Sequence, residues 1–340
     1  MLPQRTGREV ATRGLCVPCS LICTLAAIAL ALLSTTAGAA PFAYITNQGS
    51  NDVSVIDLAS QQVVSTIGVG RSPAGVVAAS RAGKVFVSNP DSRSISVIDM
   101  RDQRVVGTLA AGDGPVGIDA SPDGKLLLAA DWYANRLMVF DASSPEAQQA
   151  PLARIEVGRA PAGVAVHSDN NTVFVAERDD DSVAVVGVRE RRVLGRVKVG
   201  SHPFALLFDA ARQRLYALNV QSDDVSVIDT RTLKVIATVK VGKAPYGAAL
   251  AQNGALLYVT NQHDDSVSVI DADSLKVLRT LSGFGYPEGV AAHGDKVYVV
   301  NWMDDNVSVL DAASGKPLRQ IATGKNSRGF GAFIGEPALP

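Results

Sequence analysis

The chain has 340 residues, 47% hydrophobic and 19% charged, with a formal net charge of −1 at pH 7. A balance so close to neutral argues against an electrostatic grip on nucleic acid, which depends on Lys and Arg neutralising phosphates. The only cysteines, Cys16, Cys19 and Cys23, lie near the start, so the rest of the chain has no disulfide, thiolate metal site, thiol nucleophile or haem-attachment motif.

Arg5, Arg8 and Arg13 precede an apolar run from Leu21 to Leu33, and Ala37-Gly38-Ala39-Ala40 follows it. This charged, apolar and small-residue layout predicts a secretory signal over residues 1–39, cleaved after Ala39, with a mature chain of 40–340. The apolar run falls short of the ~20 residues that span a membrane, so the mature form is expected to carry no membrane span. A lipid anchor would use Cys23, but Ile22 beside it fits poorly. Loss of three arginines and Glu9 moves the formal charge from −1 to −1 − 3 + 1 = −3.

From Phe42 onward one pattern recurs. Tyr44-Ile45-Thr46-Asn47 leads through a turn to Val53-Ser54-Val55-Ile56-Asp57. Val63-Val64-Ser65-Thr66-Ile67 and the turn Gly70-Arg71-Ser72-Pro73-Ala74-Gly75 follow. The aspartate returns at Asp99, Asp141, Asp229, Asp271 and Asp311, with Gly187 in the fourth copy. Six steps from Asp57 to Asp311 give a period of about 42, in the range of a four-stranded propeller blade. Val-Ser-Val alternation has period two, and β-branched residues fill these runs between Gly, Asn, Asp and Pro.

The predicted class is therefore all-β, a seven-bladed β-propeller. Second strands are expected to begin near Phe42, Lys84, Lys125, Thr172, Arg214, Ala255 and Lys296. Innermost strands are expected near Gly75, Gly117, Gly163, Ala205, Gly247, Gly289 and Gly329. The last of these, Gly329 to Ile334, completes the first blade and closes the ring, which removes exposed sheet edges.

Tyr258-Val259-Thr260-Asn261 resembles the signature of the YVTN-type β-propeller repeat family. Tyr44-Ile45-Thr46-Asn47, Phe86-Val87-Ser88-Asn89 and Tyr298-Val299-Val300-Asn301 are close variants. The resemblance implies the fold and export, as in secreted or periplasmic propellers and those encoded near quinoprotein dehydrogenases. It does not fix an activity, because propellers host unrelated functions. Two departures stand out: Ala176-Glu177-Arg178 in the fourth copy, and Ser327 where the turn proline sits elsewhere.

The residue after the turn proline should lie nearest the axis on one face. Around the ring it reads Arg328, Ala74, Val116, Ala162, Phe204, Tyr246 and Glu288. Large or charged side chains gather on four adjacent blades, which predicts either one wall of a funnel-shaped pocket or a Glu288–Arg328 pair that plugs the channel. Flanking candidates are His202, Tyr286 and Lys325 on the proline loops, with Trp132, Tyr133, Arg178, His263 and Trp302 on the loops between second and third strands. Aromatic faces stack and Arg and Glu make charge-assisted hydrogen bonds.

The acidic runs at Asp179–Asp181, Asp223-Asp224, Asp264-Asp265 and Asp304-Asp305 sit at one register on different blades, so they read as turn residues and not as a calcium site. His167, His202, His263 and His293 lack metal spacing, and no nucleophile elbow is present. These features point to an exported non-enzymatic binding or assembly protein with no catalytic residue, metal or cofactor. One disc face would take a partner protein or a small ligand, and a role accessory to a periplasmic oxidoreductase system is compatible with that. The alternative is a propeller lactonase or lyase with a divalent metal at the channel, using Glu288 with His202, His263 and Arg328.

Overall fold

The computed structural model describes residues 7, 9, 41–143 and 150–337. The expected leader and its cleavage site lie outside the described residues, Gly7 and Glu9 aside. Ala39–Pro340 forms one compact unit, built of seven four-stranded antiparallel sheets. Among the described residues no helix is long and apolar enough to cross a membrane.

Second strands begin at Phe42, Lys84, Leu126, Thr172, Arg214, Leu256 and Lys296, within a residue of the positions expected from the repeat. Their central side chains are buried: Tyr44, Phe86, Phe174, Tyr216, Tyr258 and Tyr298 are all about 1% exposed or less and fill the spaces between blades. Most inner strands begin two residues earlier than expected, at the turn proline itself (Pro115, Pro161, Pro203, Pro245, Pro287). The proline pairs with the end of the second strand, and a bulge follows, as between Pro203 and Leu206. Proline tolerates that place because it opens the strand and has no N–H to donate.

The Tyr-Val-Thr-Asn signature has a physical meaning here. The Thr260 hydroxyl accepts from the Gly247 N–H at 2.8 Å and donates to the Glu288 carbonyl of the next blade at 2.7 Å. Asn261 Nδ2 donates to Ser268 Oγ at 2.9 Å, and Asn47, Asn89, Asn219 and Asn301 repeat this bond to Ser54, Ser96, Ser226 and Ser308. Gly247 is required by close approach, since a Cβ there would sit 2.3 Å from the Glu288 carbonyl oxygen.

The fourth-copy departure keeps this job by other means. Glu177 is fully buried. It accepts from the Gly158 N–H at 2.7 Å and from Ser182 Oγ at 2.7 Å, while Arg196 from the outer strand donates to it at 2.9 Å. Asp131 does the same in the third blade with Gly114 and Arg136. Where the signature asparagine becomes an acid, an arginine from another strand of the same blade balances the charge.

The acidic runs are structural, but they reach beyond their own turns. Asp181, Asp223, Asp265 and Asp305 accept the N–H of His202, Ala244, Tyr286 and Asn326 in the following proline loop, at 2.6–2.9 Å. Those four residues hold φ of 52–55°, a left-handed backbone that is unfavourable for residues with a Cβ. The carboxylate contact helps to hold it.

The ring closes through the C-terminal segment. Ile334–Gly335 pairs with Ala43 and Phe42 as the inner strand of the first blade, shorter than the expected Gly329 to Ile334. The rest of the segment divides its bonds between the first and second blades. Phe330 and Ala332 carbonyls accept from Val76 and Ala78 of the second blade, and Arg328 N–H donates to the Thr46 carbonyl. The segment stitches two blades together rather than extending one.

Candidate functional site

The loops after second strands and the proline loops share one face, as the repeat predicts. Trp132, Val220, Gln262 and Trp302 N–H groups donate to the carbonyls of Gly114, His202, Ala244 and Tyr286. This pairing holds Trp132, Gln262 and Trp302 at the same height as the residues that follow the turn prolines.

Four of those residues meet. Arg328 Nε donates to Glu288 Oε2 at 2.6 Å, and the guanidinium also bonds the Tyr246 hydroxyl and lies 5.8 Å from its ring centroid. Gln262 Nε2 donates to the other Glu288 oxygen at 2.8 Å. Tyr246 stacks on Phe204 with centroids 4.6 Å apart at 29°, and both rings contact Phe330, at 5.9 and 5.0 Å. Phe204 touches Trp132 at 6.1 Å, and the Arg178 guanidinium lies 5.7 Å over the Trp132 ring.

A second chain of contacts runs outside the first. His263 Nε2 lies 3.2 Å from the Tyr286 hydroxyl, with ring centroids 5.6 Å apart. Tyr286 meets Trp302 at 5.6 Å, and Trp302 Nε1 donates to Gln48 Oε1 at 3.2 Å. His202 lies 3.1 Å from Ser201 Oγ and 3.8 Å from Asp179, whose carboxylate also accepts from Arg178. Lys325 is exposed.

The two sequence readings thus combine. Glu288 and Arg328 do pair, and the aromatic wall packs against them through Tyr246. Burial pushes the Glu288 carboxyl up, against the pull of Arg328 and Gln262. Burial also pushes the Tyr246 hydroxyl up. Burial works to lower the Arg328 guanidinium, but Glu288 and Tyr246 together hold it above its ordinary range. A buried charge needs such partners, since an unpaired one is expensive.

What reaches solvent is the rim of this wall. Tyr133 is 73% exposed and Met303 62%, and His263 is also exposed. Among the described residues no group of three His, Cys, Asp or Glu could hold a metal ion. Of the residues of the lactonase-type alternative, Glu288 and Arg328 pair, whereas His202 meets Ser201 and His263 meets Tyr286.

A cavity of about 430 Å³ lies in the central channel. Inner strands line it, and Phe330 borders both this cavity and the aromatic wall. One carboxylate faces it, Asp119, whose Oδ2 accepts the Val166 N–H at 2.8 Å and whose Oδ1 accepts the Ala120 N–H at 2.8 Å. Burial pushes Asp119 up to about 6, against those two backbone donors. Sequence reasoning passed over Asp119, Gln262 and Phe330. For Asp119 a signal existed: the same register holds Val77, Ala165, Leu207, Ala249 and Ala291 in other copies.

Comparison with known proteins supports the fold. A family model described as YNCE-like beta-propeller matches residues 80–169 and 150–336. No curated protein matches the chain in sequence. Among solved structures, Kuenenia stuttgartiensis hydrazine synthase is similar at 20% identity and a TM-score of 0.72, covering 79% of this chain and 92% of that one. A functionally unknown protein from Desulfotomaculum acetoxidans DSM 771 is similar at 14% identity and 0.75, covering 87% and 99%. The dihydro-heme d1 dehydrogenase NirN, in complex with DHE, is similar at 14% identity and 0.64, covering 85% and 74%.

Proposed function

The chain belongs to the YNCE-like beta-propeller family, and from that premise we propose that it is an exported binding or assembly protein working through its proline-loop face. The observation that carries this reading is the break in seven-fold uniformity. Most of the ring repeats one plan, yet on one arc Trp132, Phe204, Tyr246, Tyr286 and Trp302 assemble around the buried Glu288–Arg328 pair. Exposed Tyr133 and Met303 border them. Rigid aromatic rims with polar anchors are the composition that interface hot spots favour.

Its occupant is a partner protein or small ligand in a compartment outside the cytoplasm. The leader-like start of the sequence supports export. Fold relatives named as a hydrazine synthase and a dihydro-heme d1 dehydrogenase support a place in a redox system.

Expression of the full chain in its native host, with fractionation and affinity capture, tests this. The secreted or periplasmic form should begin at Ala40, and an oxidoreductase subunit should copurify with it. Tyr133→Ala with Trp302→Ala should lose that partner, while Val64→Ala on the outer strand should keep it. A protein retained in the cytoplasm, or equal capture by all forms, contradicts the reading.

A further inference from the structure

The central channel carries a feature that the aromatic face does not explain. Its walls are glycine, alanine, valine, leucine, isoleucine and phenylalanine, and among its lining residues Asp119 alone is ionisable. The position is not required by the repeat, since five other copies place apolar side chains at that register. Nor is the carboxylate fully used. It accepts two backbone N–H bonds, whereas an ionised carboxylate offers about four lone-pair sites. A charge kept in apolar surroundings is costly unless something answers it.

We propose that the channel is a second binding site, selective for a small organic monocation with an apolar body, an alkyl- or arylammonium, with Asp119 as its counter-ion. The volume of about 430 Å³ falls within the range of small-molecule pockets, which are mostly apolar with a few placed polar groups. The ammonium donates to the free Asp119 lone pairs, and the apolar body lies along Leu207, Phe208, Leu250 and Val290. A neutral analogue keeps the packing and loses the charge-assisted bond. An anion meets the carboxylate as a like charge.

Calorimetric titration of the full chain at pH 8, where Asp119 is ionised, separates these cases. The probes are benzylamine, benzyl alcohol and benzoate. Benzylamine should bind roughly tenfold or more tightly than the alcohol, as a charge-assisted bond implies, and benzoate should not bind. Asp119→Asn should bring amine and alcohol level. Ala332→Leu fills the lumen from an exposed position, leaves Asp119 in place, and should weaken both. An amine preference that survives Asp119→Asn but is lost in Trp302→Ala would put the cation on the aromatic face and overturn the proposal. So would absence of binding, or equal affinity for amine and alcohol.

Discussion

Arg328 has two anchors, the Glu288 carboxylate and the Tyr246 hydroxyl, and its side chain is 16% exposed against 4% for Glu288. Removing it leaves a buried carboxylate with Gln262 alone. Breaking a buried pair from one side costs about 3–5 kcal/mol, whereas replacing both partners by neutral groups costs far less. Arg328→Ala should therefore lower the urea midpoint strongly, and Arg328→Met with Glu288→Gln should recover most of the loss. An unchanged midpoint in the single variant would mean that the pair is not desolvated. Asp119 gives a second test. Its folded pKa of about 6 lies above the unfolded ~3.9. Its contribution is therefore full below about pH 4 and is lost as pH rises through about 6. Asp119→Asn should gain on the wild type by on the order of 1–3 kcal/mol between pH 4 and pH 7. Chemical unfolding across that range checks it, and a constant difference contradicts it. Phe204, Tyr246, Glu288 and Arg328 were legible in the sequence because one register could be compared across seven copies. Phe330 and Gln262 were not. Register shows which residues share a level, but not which side chains cross the axis.

At the level of strands, the C-terminal segment matters most. Phe333 is fully buried and its carbonyl accepts from the Tyr44 N–H at 2.9 Å. Val76 and Ala78 of the second blade depend on the same segment for carbonyl partners. Deleting residues 329–340 should expose the edges of two inner strands and leave the Phe333 cavity, in the ~3–5 kcal/mol range for a lost core phenylalanine. The truncated chain should aggregate or unfold without cooperativity in size-exclusion and denaturant experiments. A monomer with the full-length transition would contradict the closure. The starts of the second strands were readable to within a residue because one apolar run ending in Asn or an acid recurs at a fixed register in every copy. The inner strands were displaced because proline and a bulge begin them, and alternation does not report a bulge. The asparagine of the signature was recognisable as a motif. Its replacement by Glu177 with Arg196 needed the third dimension, since the two are 19 residues apart on non-adjacent strands.

For the molecule as a whole, ring closure and buried links between blades make a rigid platform, and function falls to its faces and its channel. The two proposed sites differ in chemistry: an aromatic rim for a partner protein or small ligand, and an apolar lumen with one carboxylate. The face is the central claim, and photo-crosslinking tests it most directly. A photoreactive phenylalanine analogue replaces Met303 on the aromatic face, Ile236 on the outer strand, or Ala210 at the turn on the opposite face, all exposed positions. Irradiation in the native compartment should yield one discrete adduct from position 303 and none from 236 or 210. Adducts from 236 or 210 with none from 303 would move the working surface away from the aromatic arc and contradict the account.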